Sequence, residues 1–279
     1  MIVSNAVRTV VTTAMVLLQP VFPLSLAPRK VPLVCSHRGR LNAGDMENSV
    51  SVIRHTFASG IPMVEFDLVD SKDGHTFLVH DRTLDRTTNA TGVPGSYSDA
   101  ELSKVMQLDP VSRKPVEPVS TFDQLLTFAQ GNELALMVDI KSVSPAEAVA
   151  QLRAKGLLGH AVLLTFDDAT TDAALKADAT VLVSALVKSD EDVDRVVAKA
   201  AGHPLALYVP QTGAEELFQH ARMSGKTVIT DAMGDLDSSA EKDGGRAYAV
   251  FLKTHPVDIL VTDHAQLLTA ALSDKRFDR

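Results

Sequence analysis

The residues from Cys35 to Thr88 concentrate groups able to move protons and hold charge: His37-Arg38-Gly39, Glu47-Asn48-Ser49, Glu65-Phe66-Asp67, His80-Asp81 and Arg86-Thr87-Thr88. Imidazole titrates nearer neutral pH than other side chains, so His37 and His80 suit an acid and base pair. Glu65 and Asp67 stand two apart, which on a strand aims both carboxylates at one face. Asp139 adds a third in an otherwise apolar run. Three convergent carboxylates repel one another unless a cation sits among them, and oxygen donors alone favour Ca²⁺ or Mg²⁺ over zinc. Arg38 offers a planar fork to phosphate. Lys141, two residues past Asp139 on the same strand face, offers a point charge.

Each group also has a plainer use. A carboxylate can pair with a nearby Arg or Lys, and a histidine can simply finish a strand. Asn48 can contact the site or cap the helix after it. Arg86-Thr87-Thr88 suits a structural role as well as substrate contact, and Lys72-Asp73-Gly74 suits a tight turn holding His80 in place. Taken as one set, the residues point to hydrolysis of a small phosphodiester assisted by a divalent metal ion.

Groups so far apart in the chain need a scaffold that gathers strand ends. Short apolar runs alternate with amphipathic stretches, the pattern of βα units on a parallel sheet. Strands are expected at residues 31–35, 62–68, 76–79, 134–140, 161–166, 181–187, 205–209, 227–230 and 257–261. Helices are expected at 49–58, 145–155, 190–201, 214–224 and 238–253. Ser144-Pro145 makes a good helix start. This alternation predicts an α/β fold, a (β/α)8 barrel, because the candidate groups follow four different strands and a barrel brings such ends to one mouth. Nine runs compete for eight places, so 76–79 or 205–209 should be short or irregular. Residues 82–120, rich in Thr, Gly, Pro and Asp, read as a small insertion after the third strand.

At 279 residues, 45% of them hydrophobic, the chain can bury a sizeable core as one domain. Its net charge of −8 argues against a general nucleic-acid binder. The single cysteine, Cys35, precludes an intrachain disulfide and suits a buried strand position. Arg8, the apolar residues 10–18 and the small residues Ser25-Leu26-Ala27 predict a signal peptide or N-terminal anchor over residues 1–27. A periplasmic or secreted protein is therefore expected, with membrane contact only through an uncleaved N-terminal segment.

In this order the residues resemble the glycerophosphodiester phosphodiesterase family. Its pattern runs His-Arg-Gly, Glu-Asn-Thr, Glu-x-Asp, Lys-Asp-Gly, His-Asp with Arg-Thr-Thr, then Glu-x-Lys and a terminal Thr-Asp. This chain supplies the motifs above, then Asp139-Ile140-Lys141 and Thr262-Asp263. The resemblance implies a TIM barrel over residues 31–273 and a divalent cation on Glu65, Asp67 and Asp139. It implies His37 and His80 as the acid/base pair and Arg38 and Lys141 on phosphate, releasing glycerol 3-phosphate and an alcohol. Three departures stand out. Asp139 replaces the family's Glu, Gly44-Asp45-Met46 replaces the residue usually Pro, and residues 228–233 lack the family's Trp. The metal and histidine core matches while the substrate-facing wall differs. Alternative readings are hydrolysis or cyclisation of another phosphodiester, such as a sugar phosphodiester or lysophospholipid, and a barrel that binds without turnover.

Overall fold

In the computed structural model, which describes residues 28–274, eight apolar runs become the parallel strands of one closed barrel. Residues 1–27, where the leader is expected, lie outside the described residues. The strands are β1 Leu33–Ser36, β2 Met63–Asp70, β3 Thr76–Leu78, β4 Met106–Leu108, β5 Pro115–Pro118 and β6 Ala135–Ile140. They continue as β7 Ala161–Thr165, β8 Leu182–Leu186, β9 Leu205–Tyr208, β10 Thr227–Asp231 and β11 Ile259–Thr262. The barrel runs β1, β2, β6 and then β7 to β11, and closes where β1 pairs with both β11 and β2.

Helices α1 Val50–Ala58, α2 Asp99–Leu102, α3 Phe122–Gln130, α4 Pro145–Ala154 and α5 Asp168–Ala177 occupy the first half. In the second half come α6 Asp190–Ala200, α7 Glu215–Met223, α8 Asp235–Asp243, α9 Arg246–Thr254 and α10 Ala265–Ser273. Among the described residues no helix is long and apolar enough to cross a membrane.

Strict alternation sorts the strand side chains. Leu33, Cys35, Met63, Met137, Leu164, Tyr208 and Ile229 fill the barrel interior. Their neighbours Val34, Phe66, Val138, Leu163, Leu207 and Val228 pack outward with the helices. With both faces buried, the strands read as near-continuous apolar runs, so a polar residue on the inner parity is conspicuous.

The surplus strand is β3. Among the described strands it pairs with β2 alone, antiparallel, from Asp70↔Thr76 to Leu68↔Leu78, with one further bridge from Phe77 to Thr121. The turn between them is far shorter than a parallel crossover requires, and Gly74 supplies its positive φ of 88°. His80 therefore reaches the barrel mouth on a strand that doubles back along β2, instead of at the end of a barrel strand. The hairpin carries the Val79 N–H to the Asp67 carbonyl at 3.1 Å. Residues 82–120 fold over this edge as α2 and the β4–β5 hairpin, with Leu84, Leu102, Val105 and Val119 packed on Phe77 and Val79. The helix expected at 238–253 is two helices, α8 and α9. Gly244 and Gly245 separate them at φ of 69° and 94°, a conformation that L side chains adopt at a cost.

Candidate active site

Past β1 the chain makes one 3-10 turn, His37–Gly39, that holds Arg38 at φ 53°. Asn48 has the same left-handed φ of 53°. Such strain costs on the order of 1–3 kcal/mol per residue and persists where surroundings enforce it. Here hydrogen bonds enforce it. The Arg38 N–H donates to Glu65 Oε2 at 2.8 Å, and the Asn48 N–H donates to the Arg38 carbonyl at 2.9 Å. Asn48 Nδ2 donates to Asp67 Oδ2 at 2.8 Å, while Asn48 Oδ1 accepts the Asp67 N–H at 3.0 Å. Ser49, not Asn48, caps α1, so the two uses open to Asn48 resolve to the site. Gln107, on β4, braces this loop by donating to the Glu47 carbonyl at 3.0 Å.

The register places Asp67 on β2 directly beside Asp139 on β6, with Glu65 one inward step below. Carboxylate oxygens of all three lie within 4.8 Å of one another. They are 4%, 1% and 7% exposed, so water screens their repulsion poorly. Burial, then the charges of Asp67 and Asp139, push the Glu65 carboxyl well above its usual range. Burial also raises Asp139, against the opposing pull of Lys141. Lys141 contacts Asp139 and lies 3.2 Å from Asp67 Oδ1. One ammonium among three buried carboxylates leaves the cluster short of positive charge. A divalent cation on oxygen donors fits that deficit.

The two imidazoles are pinned in the same way. His37 Nδ1 lies 2.6 Å from Asp263 Oδ1 and His80 Nδ1 lies 2.7 Å from Asp81 Oδ1. An ionised carboxylate only accepts, so each Nδ1 carries the hydrogen and each neutral ring keeps Nε2 as a base. His37 Nε2 stands 3.9 Å from Glu65 Oε2. Arg40 also contacts Asp263, whose N–H donates to Asp237 Oδ2 at 2.9 Å. Burial pushes the Asp263 carboxyl up, but His37 and Arg40 prevail and hold it below its usual range.

A second acidic group, Glu47, His80 and Asp81, already has its cation. Arg86 Nη2 donates to Glu47 Oε1 and Arg86 Nε to Asp81 Oδ2, both at 2.6 Å. Its guanidinium holds the Asp81 carboxyl well below the ordinary range. Arg38 Nη1 donates to the same Glu47 oxygen at 2.9 Å, leaving Arg38 Nε buried with no hydrogen-bond partner among the described residues. Such an orphaned donor, 3.9 Å from Asp67 Oδ2, suits an incoming phosphate oxygen.

The opposite wall differs. Phe166 after β7, Leu186 on β8, Tyr208 on β9 and Asp231 on β10 continue the inward parity there. The Tyr208 hydroxyl donates to Asp231 Oδ2 at 2.7 Å, and Phe166 meets the Tyr208 ring edge-on at 5.7 Å. Burial and the adjacent Asp231 push the Tyr208 phenol up, which keeps it a donor.

The structure thus brings Glu65, Asp67, Asp139, Lys141, His37 and Arg38 into one connected cluster, with His80 on the neighbouring hairpin. It adds residues whose part the motifs leave open: Asp263 and Asp81 behind the histidines, Asn48 on Asp67, and Glu47 with Arg86 between them. The His80-Asp81 adjacency is visible in the chain. Nothing local links Asp263 to His37, 226 residues away.

The family model described as the glycerophosphoryl diester phosphodiesterase family matches residues 37–267. The glycerophosphodiester phosphodiesterase 1 of Bos taurus is 30% identical over 122 residues, which are 42% of this chain and 36% of that protein. The match thus spans about a third of that relative's length. A glycerophosphoryl diester phosphodiesterase from Parabacteroides distasonis superposes with a TM-score of 0.77 at 22% identity, covering 87% of this chain and 86% of that one. An Oleispira antarctica phosphodiesterase, solved in complex with the product sn-glycerol-3-phosphate, gives a TM-score of 0.70 at 19% identity, with 88% and 98% covered. At these identities the likeness shows the barrel fold.

Proposed function

The chain belongs to the glycerophosphoryl diester phosphodiesterase family, and on that premise we propose that it hydrolyses glycerophosphodiesters to glycerol 3-phosphate and an alcohol. One observation carries the reading: two imidazoles pinned through Nδ1 to carboxylates stand beside three buried carboxylates and an arginine N–H that has no hydrogen-bond partner among the described residues. Glu65, Asp67 and Asp139 would hold a divalent cation, Ca²⁺ or Mg²⁺, which when bound neutralises phosphoryl charge. The aspartate at 139, shorter than the family's glutamate, leaves room for water beside such an ion. Arg38 Nε and Lys141 orient the phosphate oxygens.

One imidazole takes the proton of the attacking oxygen as its bond to phosphorus forms. The other gives a proton to the alcohol oxygen as the second bond breaks. The attacker is water, or the substrate's own glycerol hydroxyl followed by water opening a cyclic phosphate; the same residues serve either route. The product held by the Oleispira enzyme supports glycerol 3-phosphate as the half retained. Arg8 and the apolar residues 10–18 support an exported or anchored enzyme.

The test is release of glycerol 3-phosphate from glycerophosphoethanolamine by metal-stripped protein. Turnover should appear with Ca²⁺ or Mg²⁺ and vanish with EDTA. Turnover unchanged by EDTA, or none with either cation, would overturn the proposal.

A further inference from the structure

Resting on that hydrolase reading, we propose that Asp231, with Tyr208 and Phe166, forms a subsite for an alkylated ammonium group on the substrate's alcohol half. The strand order sets Tyr208 on β9 across the barrel from Glu65 and Asp67 on β2, and Asp231 on β10 across from Asp139 on β6. A diester whose phosphate lies at the carboxylate cluster points one of its two arms toward this wall.

The charge pattern selects which arm. Asp139, Asp81 and Asp263 each contact a cation: Lys141, Arg86 and Arg40. Asp231 differs. Its carboxylate accepts from the Tyr208 hydroxyl at 2.7 Å and from Gln211 Nε2 at 3.1 Å, and among the described residues no Lys, Arg or His stands within ion-pair distance. These two neutral donors fix one oxygen each, so the negative charge is oriented but not neutralised. On the far side of Tyr208, Phe166 is 45% exposed although it caps a barrel strand, and its ring stands nearly perpendicular to that of Tyr208. An anion held by one tyrosine, with an exposed aromatic ring packed on that tyrosine, is complementary to an ammonium carrying alkyl groups, through charge and through the exposed ring. A polyol would instead call for several donors and acceptors.

The probes are glycerophosphocholine, glycerophosphoethanolamine and glycerophosphoglycerol, compared by kcat/KM within each variant so that any loss of folded protein cancels. Wild type should favour the choline over the glycerol diester. Asp231→Asn, which keeps shape and an acceptor but loses charge, should lower that ratio about tenfold, mostly through KM. Phe166→Leu should penalise the trimethylammonium diester more than the primary ammonium one. A ratio unmoved by Asp231→Asn in an active enzyme would overturn the subsite and leave the hydrolase reading standing. No turnover of any diester would overturn both.

Discussion

Around one mouth the barrel carries two unlike arcs. Strands β11, β1, β2 and β6 deliver Asp263, His37, Asp67 and Asp139, each tied into ion pairs or short hydrogen bonds. Strands β7 to β10 deliver Phe166, Leu186, Tyr208 and Asp231, whose carboxylate is held by two neutral donors, the Tyr208 hydroxyl and the Gln211 amide. Deeper in the barrel, below Glu65 and Ser184, the arcs are alike: Cys35, Met63 and Met137 on one side, Leu164, Leu182 and Ile229 on the other. The same alternation runs through both, so the difference lies in the side chains nearest the mouth, the charged arc reaching one inward step further at Glu65. The apolar layers below hold the strands together, and the mouth layer divides the work between bond-breaking and choice of substrate.

The largest effect should come from breaking the charged arc at its centre. In the wild type a divalent cation at a hundred times its Kd should stabilise the fold by about 2.7 kcal/mol, seen as a rise in Tm. Asp67→Asn should abolish that rise. Next, Asn48→Ala removes the hydrogen bond donated to the Asp67 carboxylate and the one accepted from the Asp67 backbone N–H. Cation affinity by calorimetry should drop about 10–100-fold, as for other losses behind a metal ligand. Across the mouth, Leu186→Ala should cost about 1–2 kcal/mol in denaturant melts through lost apolar burial, yet leave the cation-dependent rise in Tm intact. A cation response lost in that variant would erase the distinction between the arcs.

The smallest effect tests the rim. Arg86 holds Asp81 below its ordinary range. A carboxyl with a depressed folded-state pKa adds stability above the ordinary carboxylate range and loses it as pH falls through the lowered value. Arg86→Met should therefore lower stability at neutral pH by no more than about 1 kcal/mol, given the half-exposed arginine. Below about pH 4 the gap between variant and wild type should narrow in acid melts.

Much of the charged arc is legible in the amino-acid sequence. Glu65 and Asp67 two apart, and Asp139 breaking an apolar run, announce themselves because buried parallel strands tolerate few polar residues. The barrel follows from alternation of apolar runs with helix patterns. What stays hidden depends on contacts between distant segments. Choosing β3 as the surplus strand requires weighing the tight turn at Lys72-Asp73-Gly74 against the length of a parallel crossover. The split between α8 and α9 is written in Gly244-Gly245, a pair that a long amphipathic pattern obscures. Asp263 and Asp237 act through partners far away in the chain. The altered wall at residues 228–233 shows in the sequence only as a missing Trp, because its defining contact joins Asp231 to Tyr208 on another strand.

The central claim is that His37 and His80 work as one proton-transfer pair on a phosphodiester. It is tested most directly by glycerol 3-phosphate release from glycerophosphoethanolamine at saturating divalent cation, for His37→Ala, His80→Ala and the double variant. Each single variant should lose about 10²–10⁴-fold in kcat, and the double variant little more than the worse single one, because residues acting as a unit are not additive. Single variants within tenfold of wild type, with the cation-dependent rise in Tm preserved, would contradict the account.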